Sequence, residues 1–221
     1  MHPPFTNDQE HHLPNILSAP RFATYLRSAG NDRTRALNLY QWNLQVSAAL
    51  MVPLHVLEVS LRNAVVEAIE MIHGGTWPWT QGFTRSLPSP GQPVYNPKRD
   101  LLRCADRHPT AGKVVAELKF AFWESMLTKR HQNRLWDSQF FNVFPDCPRG
   151  VTSDQRRSDL RADIEEIRKL RNRIAHHEPI FPRVLQDDFD RILRCIHWRN
   201  AAAAAWVGDI ETVQAFLPLR P

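Results

Sequence analysis

A chain of 221 residues, 43% hydrophobic and 23% charged, carries enough apolar material for one sizeable core and too much to stay disordered. Its formal charge of +5 is unevenly placed: residues 1–97 carry six Lys/Arg against six Asp/Glu, and residues 98–136 carry nine against four. Cys104, Cys147 and Cys195 form no C-x-x-C pair, no secretory leader is expected, and no apolar run is expected to approach the ~18 residues needed to span a bilayer. A soluble cytoplasmic protein with reduced thiols and no membrane partner is therefore expected.

Residues 1–15 are polar, with prolines and histidines, and read as a flexible arm ahead of a helical domain over 16–221. A short helix is expected over 19–29, ending near Gly30. The strongest helical signal runs from Arg33 to Ile72, where Leu37, Tyr40, Leu44, Ala48, Met51, Leu54, Leu61, Val65, Ala68 and Ile72 recur at helical spacing. Pro53 predicts a kink or two abutting helices there, and Gly74-Gly75 ends the span. Residues 76–97 hold five prolines and read as a long surface loop. Helices are expected over 98–107 and 110–127, the second with Val114, Leu118, Ala121 or Phe122, Ser125 and Leu127 in register. "PDCPRG" (145–150) is a turn. The segment 154–177 is a helix capped by Ser153 or Asp154 and stopped before Pro179. Helices over 183–198 and 200–206, and a last one near 209–216, complete the chain. No alternating strand pattern, internal repeat or glycine-rich phosphate loop interrupts this sequence of elements. The expected fold class is all-α, a helical bundle.

The helix at 160–177 carries the first anomaly. On a helical wheel Ile164, Ile167, Leu170 and Ile174 fall within about 80° of Leu160, and Arg171 falls inside that apolar stripe at about 20°. An arginine pointing into a bundle is costly unless it is paired or opens into a cleft. Asn172 and His176, four residues apart, sit together on a flank of the stripe. In "LEVSLRN" (57–63), Glu58 interrupts the apolar stripe of the long helix. It is the matching countercharge for Arg171, either as a structural ion pair of the interior or as one half of a cleft.

Other chemistry is sparse. His11-His12, His176-His177-Glu178 and Cys104 with His108 do not compose a four-ligand set at any usual spacing, so no metal or other cofactor is expected. The aromatic run "FAFW" (120–123) and most of the seven tryptophans read as core. His177 and Glu178 read as a cap and turn, with a catalytic role for His177 as the alternative.

"RNRIAHHEPIF" (171–181) matches the R-N-x-x-x-H form of the motif that marks the HEPN superfamily of helical ribonucleases. With "LYQWNLQVSAALMVPLHVLEVSLRNAV" (39–65) and "GKVVAELKFAFWESML" (112–127), the chain resembles the abortive-infection (Abi-like) branch. The resemblance covers residues 39–181. It implies metal-independent cleavage of RNA by a homodimer whose two motifs face one another, in phage defence, under restraint by a neutralising protein or RNA. His176 would then be the general base or proton shuttle, Arg171 the phosphate binder, and Asn172 an orienting group. Glu58 would orient Arg171. The products would be a 2′,3′-cyclic phosphate and a 5′-hydroxyl. Lys113, Lys119, Lys129, Arg130, Arg134, Arg168 and Arg173 are candidates for holding the RNA backbone, and solvation is their alternative. A helical RNA-binding or regulatory module that uses the same basic cleft without turnover is the rival reading. A straight helix sets Arg171 and His176 about 140° apart, so one phosphate meets both only at a helix end or across two copies.

Overall fold

The computed structural model describes residues 4–221. Among them the helices run in chain order as α1 (Asn7–Ile16), α2 (Ala19–Ser28), α3 (Arg33–His73), α4 (Gln81–Ser86), α5 (Pro97–Arg107) and α6 (Ala111–Glu117). They continue as α7 (Phe120–Met126), α8 (Asp137–Val143), α9 (Ser153–Ala175), α10 (Leu185–Arg199), α11 (Ala201–Ile210) and α12 (Val213–Phe216). No strand is present among the described residues, and the chain is an all-α, multi-helix domain.

The axis of the molecule is α3, roughly 60 Å long at ~1.5 Å per residue. The Asp32 side chain caps it by accepting the Arg35 N–H at 2.8 Å, and Gly74 ends it at φ +74°. Pro53 does not divide it. The ring is buried and the helix runs on, although proline cannot donate to the carbonyl of Ala49. α2, α7, α8, α10 and α12 all pack on α3, which is why it is apolar on most of its circumference. One 18-residue window of α3 reaches a mean hydropathy of 1.5, long and apolar enough to cross a membrane by length and composition. That corrects the expectation that no segment reaches spanning character. In this fold 39% of the window is buried, and Leu44, Met51 and Val52 stay exposed.

Several expectations are corrected. Residues 1–3 of the expected arm lie outside the described residues, but 7–16 form a helix rather than a loose arm. A capping box starts it: Thr6 accepts the Gln9 N–H while the Gln9 side chain accepts the Thr6 N–H. Glu10 and the His11 carbonyl then accept from Thr34 and Arg33 at the start of α3. Within 76–97, Trp77–Trp79 is a 3-10 turn, 81–86 is helical, and Trp77, Phe83 and Leu87 are buried, so apart from Thr76 and Thr80 the irregular stretch is 87–96.

The expected helix over 110–127 breaks at Leu118 and Lys119, which are extended. Phe120, Phe122, Trp123 and Met126 are all buried, more apolar surface than one helical stripe can hide, and the break turns α7 to bury it. Between α7 and α8, a 3-10 turn (Lys129–His131) and a π-helical turn (Gln132–Trp136) carry His131, Gln132 and Trp136 inward. Cys104, Cys147 and Cys195 are free and buried.

Candidate active site

The site grows from the way α9 is held at its two ends. Thr152 caps its start, accepting the Gln155 N–H at 3.2 Å, one residue ahead of the caps expected. One turn in, Arg157 is buried and each of its three guanidinium nitrogens is engaged. It donates to Gln132 Oε1 at 2.6 Å, to the Leu127 carbonyl at 2.8 Å and to Asp154 Oδ1 at 2.7 Å. Leu160, Ile164, Ile167, Leu170 and Ile174 then bury the expected stripe.

The far end closes as a Schellman motif. The Arg173 carbonyl accepts the Glu178 N–H at 2.8 Å, and the Ile174 carbonyl accepts the His177 N–H at 3.0 Å. His177 takes the left-handed position at φ +56°, where glycine is usual. Its backbone role is thus a cap. His176 is the last half-helical residue, and its N–H donates to the Asn172 carbonyl at 2.9 Å.

The chain beyond is pinned in place. Arg173 Nε donates to the Pro179 carbonyl at 3.0 Å. Asn43, buried on α3, accepts the Ile180 and Phe181 N–H groups at 2.8 and 3.2 Å on one side-chain oxygen. Arg183 makes two 2.7 Å bonds to buried Asp188 at the start of α10.

α3 and α9 both pack closely on α10 but little on each other. A cavity of about 360 Å³ opens between them, lined by Met51, Leu54, His55, Glu58, Val59 and Arg62 of α3 and by Arg171 and Ala175 of α9. Arg171 therefore leaves the apolar stripe to face a cleft. Its Nε lies 3.6 Å from Glu58 Oε2, with the two side chains 39% and 33% exposed. That separation is too long for a hydrogen bond, and so exposed a pair stabilises the fold by at most about 1 kcal/mol. The guanidinium fork remains free to take another anion.

The structure does not gather all the expected residues. Asn172 is half-buried beside Arg171, while His176 is exposed and its ring does not line the cavity. Arg168 is tied to Glu124 of α7, and Arg173 is engaged at the turn, 3.8 Å from Glu178. Lys113 is exposed on α6, and Lys119 borders a separate hollow with Tyr95, Arg99 and Arg103. Arg130 donates to the Ser86 carbonyl at 2.9 Å, and Arg134 borders a third hollow with His73 and His131. Lys129 acts electrostatically on Asp154 at the opposite end of α9, about 25 Å from Arg171 along the helix at ~1.5 Å per residue. The basic candidates are thus scattered rather than aligned with the cavity.

Three residues in or around the site were not singled out from sequence. His55 and Arg62 stand three residues before and four after Glu58, so the wheel that identified Glu58 places both on its face. Asn43 carries the same signal, a lone amide on an apolar stripe. Among the described residues no group of three or more His, Cys, Asp or Glu is placed to hold a metal ion. No protein-family model, curated protein or solved structure matches the chain.

Proposed function

We propose that the protein is an endoribonuclease of the Abi-like HEPN kind, cutting RNA by attack of a 2′-hydroxyl without a metal. The observation that carries this reading is Arg171, a guanidinium on an otherwise apolar stripe that opens into a cavity with only a loose carboxylate contact. A planar fork held in that way suits an attacked phosphate, whose negative charge grows in the transition state. Asn172 beside it orients the phosphate or the proton carrier, and Glu58 holds the guanidinium in aim.

His176 supplies proton transfer. Because its ring stands outside the cavity of its own chain, it serves a site shared with a second copy, the two motifs facing across a two-fold axis. Exposed Leu44, Met51 and Val52 on α3 support such an interface. A toxin of this sort acts in phage defence under a neutralising protein or RNA.

The outward position of His176 also favours the rival reading, an RNA-binding module without turnover. Pure protein incubated with mixed RNA in EDTA separates the two. Cleavage leaving cyclic phosphates, and falling roughly 10²- to 10³-fold in Arg171→Lys, supports the enzyme. Retention of RNA with no cleavage supports the module.

A further inference from the structure

We infer that His55 is the general base of this site and that RNA crosses it as a single strand, with the scissile phosphodiester in the Arg62–Arg171 cavity and a neighbouring base on Trp206. The inference rests on the endoribonuclease reading and adds to it groups that the R-N-x-x-x-H motif does not contain.

The first support is the face of α3. Met51, His55, Glu58 and Arg62, with Val59 beside Glu58, recur at helical spacing and point to one side within about 100°. All five line the cavity with Arg171. Two guanidiniums against one carboxylate leave the cavity one positive charge in excess, which a phosphodiester with its single negative charge neutralises. The second support is unused donor capacity. Arg62 is half-buried against the cavity with no protein hydrogen bond, and Arg171 makes no hydrogen bond to Glu58. Donor capacity on both guanidiniums is thus left for a ligand. A phosphate oxygen between the two arginines takes it up.

The third support is the position of His55. It lines this cavity and also a second, shallower hollow of about 580 Å³ bordered by Val59, Asn63, Pro145, Asn200, Ala203 and Trp206. His55 is exposed on the ridge between them. The two hollows share a wall, and a strand with its phosphate in one lays its next base in the other. Trp206, 53% exposed on α11, offers an aromatic face there, and a base stacks on such a face whatever its sequence.

The proton accounting then closes. Neutral His55 takes the 2′-hydroxyl proton as the O2′–P bond forms. The P–O5′ bond breaks, and the 5′-oxygen takes a proton from the His176 imidazolium supplied by the second copy. His55 returns its proton to water and His176 reloads from water, leaving the 2′,3′-cyclic phosphate and the 5′-hydroxyl. Neither arginine gives up a proton; both hold the developing charge.

The test is kinetic, with the full chain and a short single-stranded RNA. His55 is exposed, so His55→Gln and His55→Ala should fold, and thermal melts confirm it. We expect kcat to fall at least 10²-fold in both, the acid limb of the kcat/KM–pH profile to disappear, and added imidazole to restore part of the cleavage by His55→Ala. His176→Gln should instead remove the alkaline limb. Trp206→Ala should raise KM roughly tenfold and leave kcat alone. Wild-type cleavage with an active His55→Ala and an unchanged acid limb would overturn the inference and leave the endoribonuclease reading standing. A wild-type protein that never cuts RNA overturns the reading, and the base with it.

Discussion

The two ends of α9 each present an arginine to the interior, and the fold treats them in opposite ways. Arg157 is buried and donates to an amide oxygen, a backbone carbonyl and a carboxylate, all within 2.8 Å. Arg171 lies on the same helix, opens to a cavity, and has one carboxylate at 3.6 Å. A buried guanidinium whose every nitrogen is engaged in the folded chain holds structure and is closed to a ligand. One whose donors are unmet stabilises little and is available. The wheel singled out Arg171 and passed over Arg157, yet it is Arg157 that the core encloses. Position on an apolar stripe tells which side a residue faces; only the neighbouring elements decide whether that side is filled.

The largest effect expected from this contrast is on stability. Arg157→Ala strands Gln132, Asp154 and the Leu127 carbonyl, and should cost about 3–5 kcal/mol in urea titration. Arg171→Ala should cost less than about 1 kcal/mol. Equal losses in the two variants would mean that Arg171 is structural after all, and the contrast would collapse.

Next comes acid sensitivity, which belongs to the Arg157 end. His131 adjoins Gln132, the partner of Arg157, and its buried Nε2 has no hydrogen-bond partner. Burial holds its pKa down to about 4 from 6.5, with Arg130 and Arg134 pushing the same way. His73, across the same hollow, is also lowered by burial. A histidine depressed in the folded state binds its proton first in the unfolded chain. Stability from His131 is therefore present above pH 6.5 and lost as pH falls from about 6.5 to 4, by roughly 3 kcal/mol at most. His131→Phe should flatten the fall in melting temperature over that window. A slope unchanged in His131→Phe would place the acid-sensitive group elsewhere.

How far the sequence told this in advance depends on where each answer is encoded. The extent of α3 and the buried face of α9 are local, written in periodicity, and they stand in the structure as expected; the Asp32 cap of α3 was just as local but was not singled out. The helix at 7–16 was equally local, since Thr6 and Gln9 spell a capping box, but the polar composition hid it. The break at Leu118–Lys119 was not local: the periodicity through Val114, Leu118 and Phe122 is unbroken, and packing of the flanking aromatics overrides it. The turns at 129–136 have no period at all, so the residues that satisfy Arg157 could not be found along the chain. At the candidate site, the Glu58–Arg171 pairing was visible on two wheels. The open space around it was not, because it exists only where α3 and α9 diverge over α10.

A smaller effect tests what Glu58 does. The ion pair is long and open, so Glu58→Gln should change stability by less than about 1 kcal/mol. Its effect should fall on cleavage, several-fold through kcat, because the amide holds Arg171 less firmly in aim. A fall in stability of several kcal/mol would return the pair to the interior and make it resemble Arg157.

The smallest effect concerns the cap. His177 holds a left-handed backbone at φ +56°, a conformation that costs a residue bearing a Cβ about 1 kcal/mol and costs glycine nothing. Glycine gives back part of that gain through the greater freedom of the unfolded chain. His177→Gly should therefore leave stability unchanged or raise it by up to about 1 kcal/mol, with both Schellman bonds kept. Cleavage should stay within a factor of about two, because His177 serves through its backbone alone. Lost cleavage at unchanged stability would make the His177 ring part of the chemistry, and the C-terminal end of α9 would then carry two reactive imidazoles. Lost stability would mean that the ring itself packs the turn, and that the exit from α9 is held by side chains as firmly as its entry is held by Arg157.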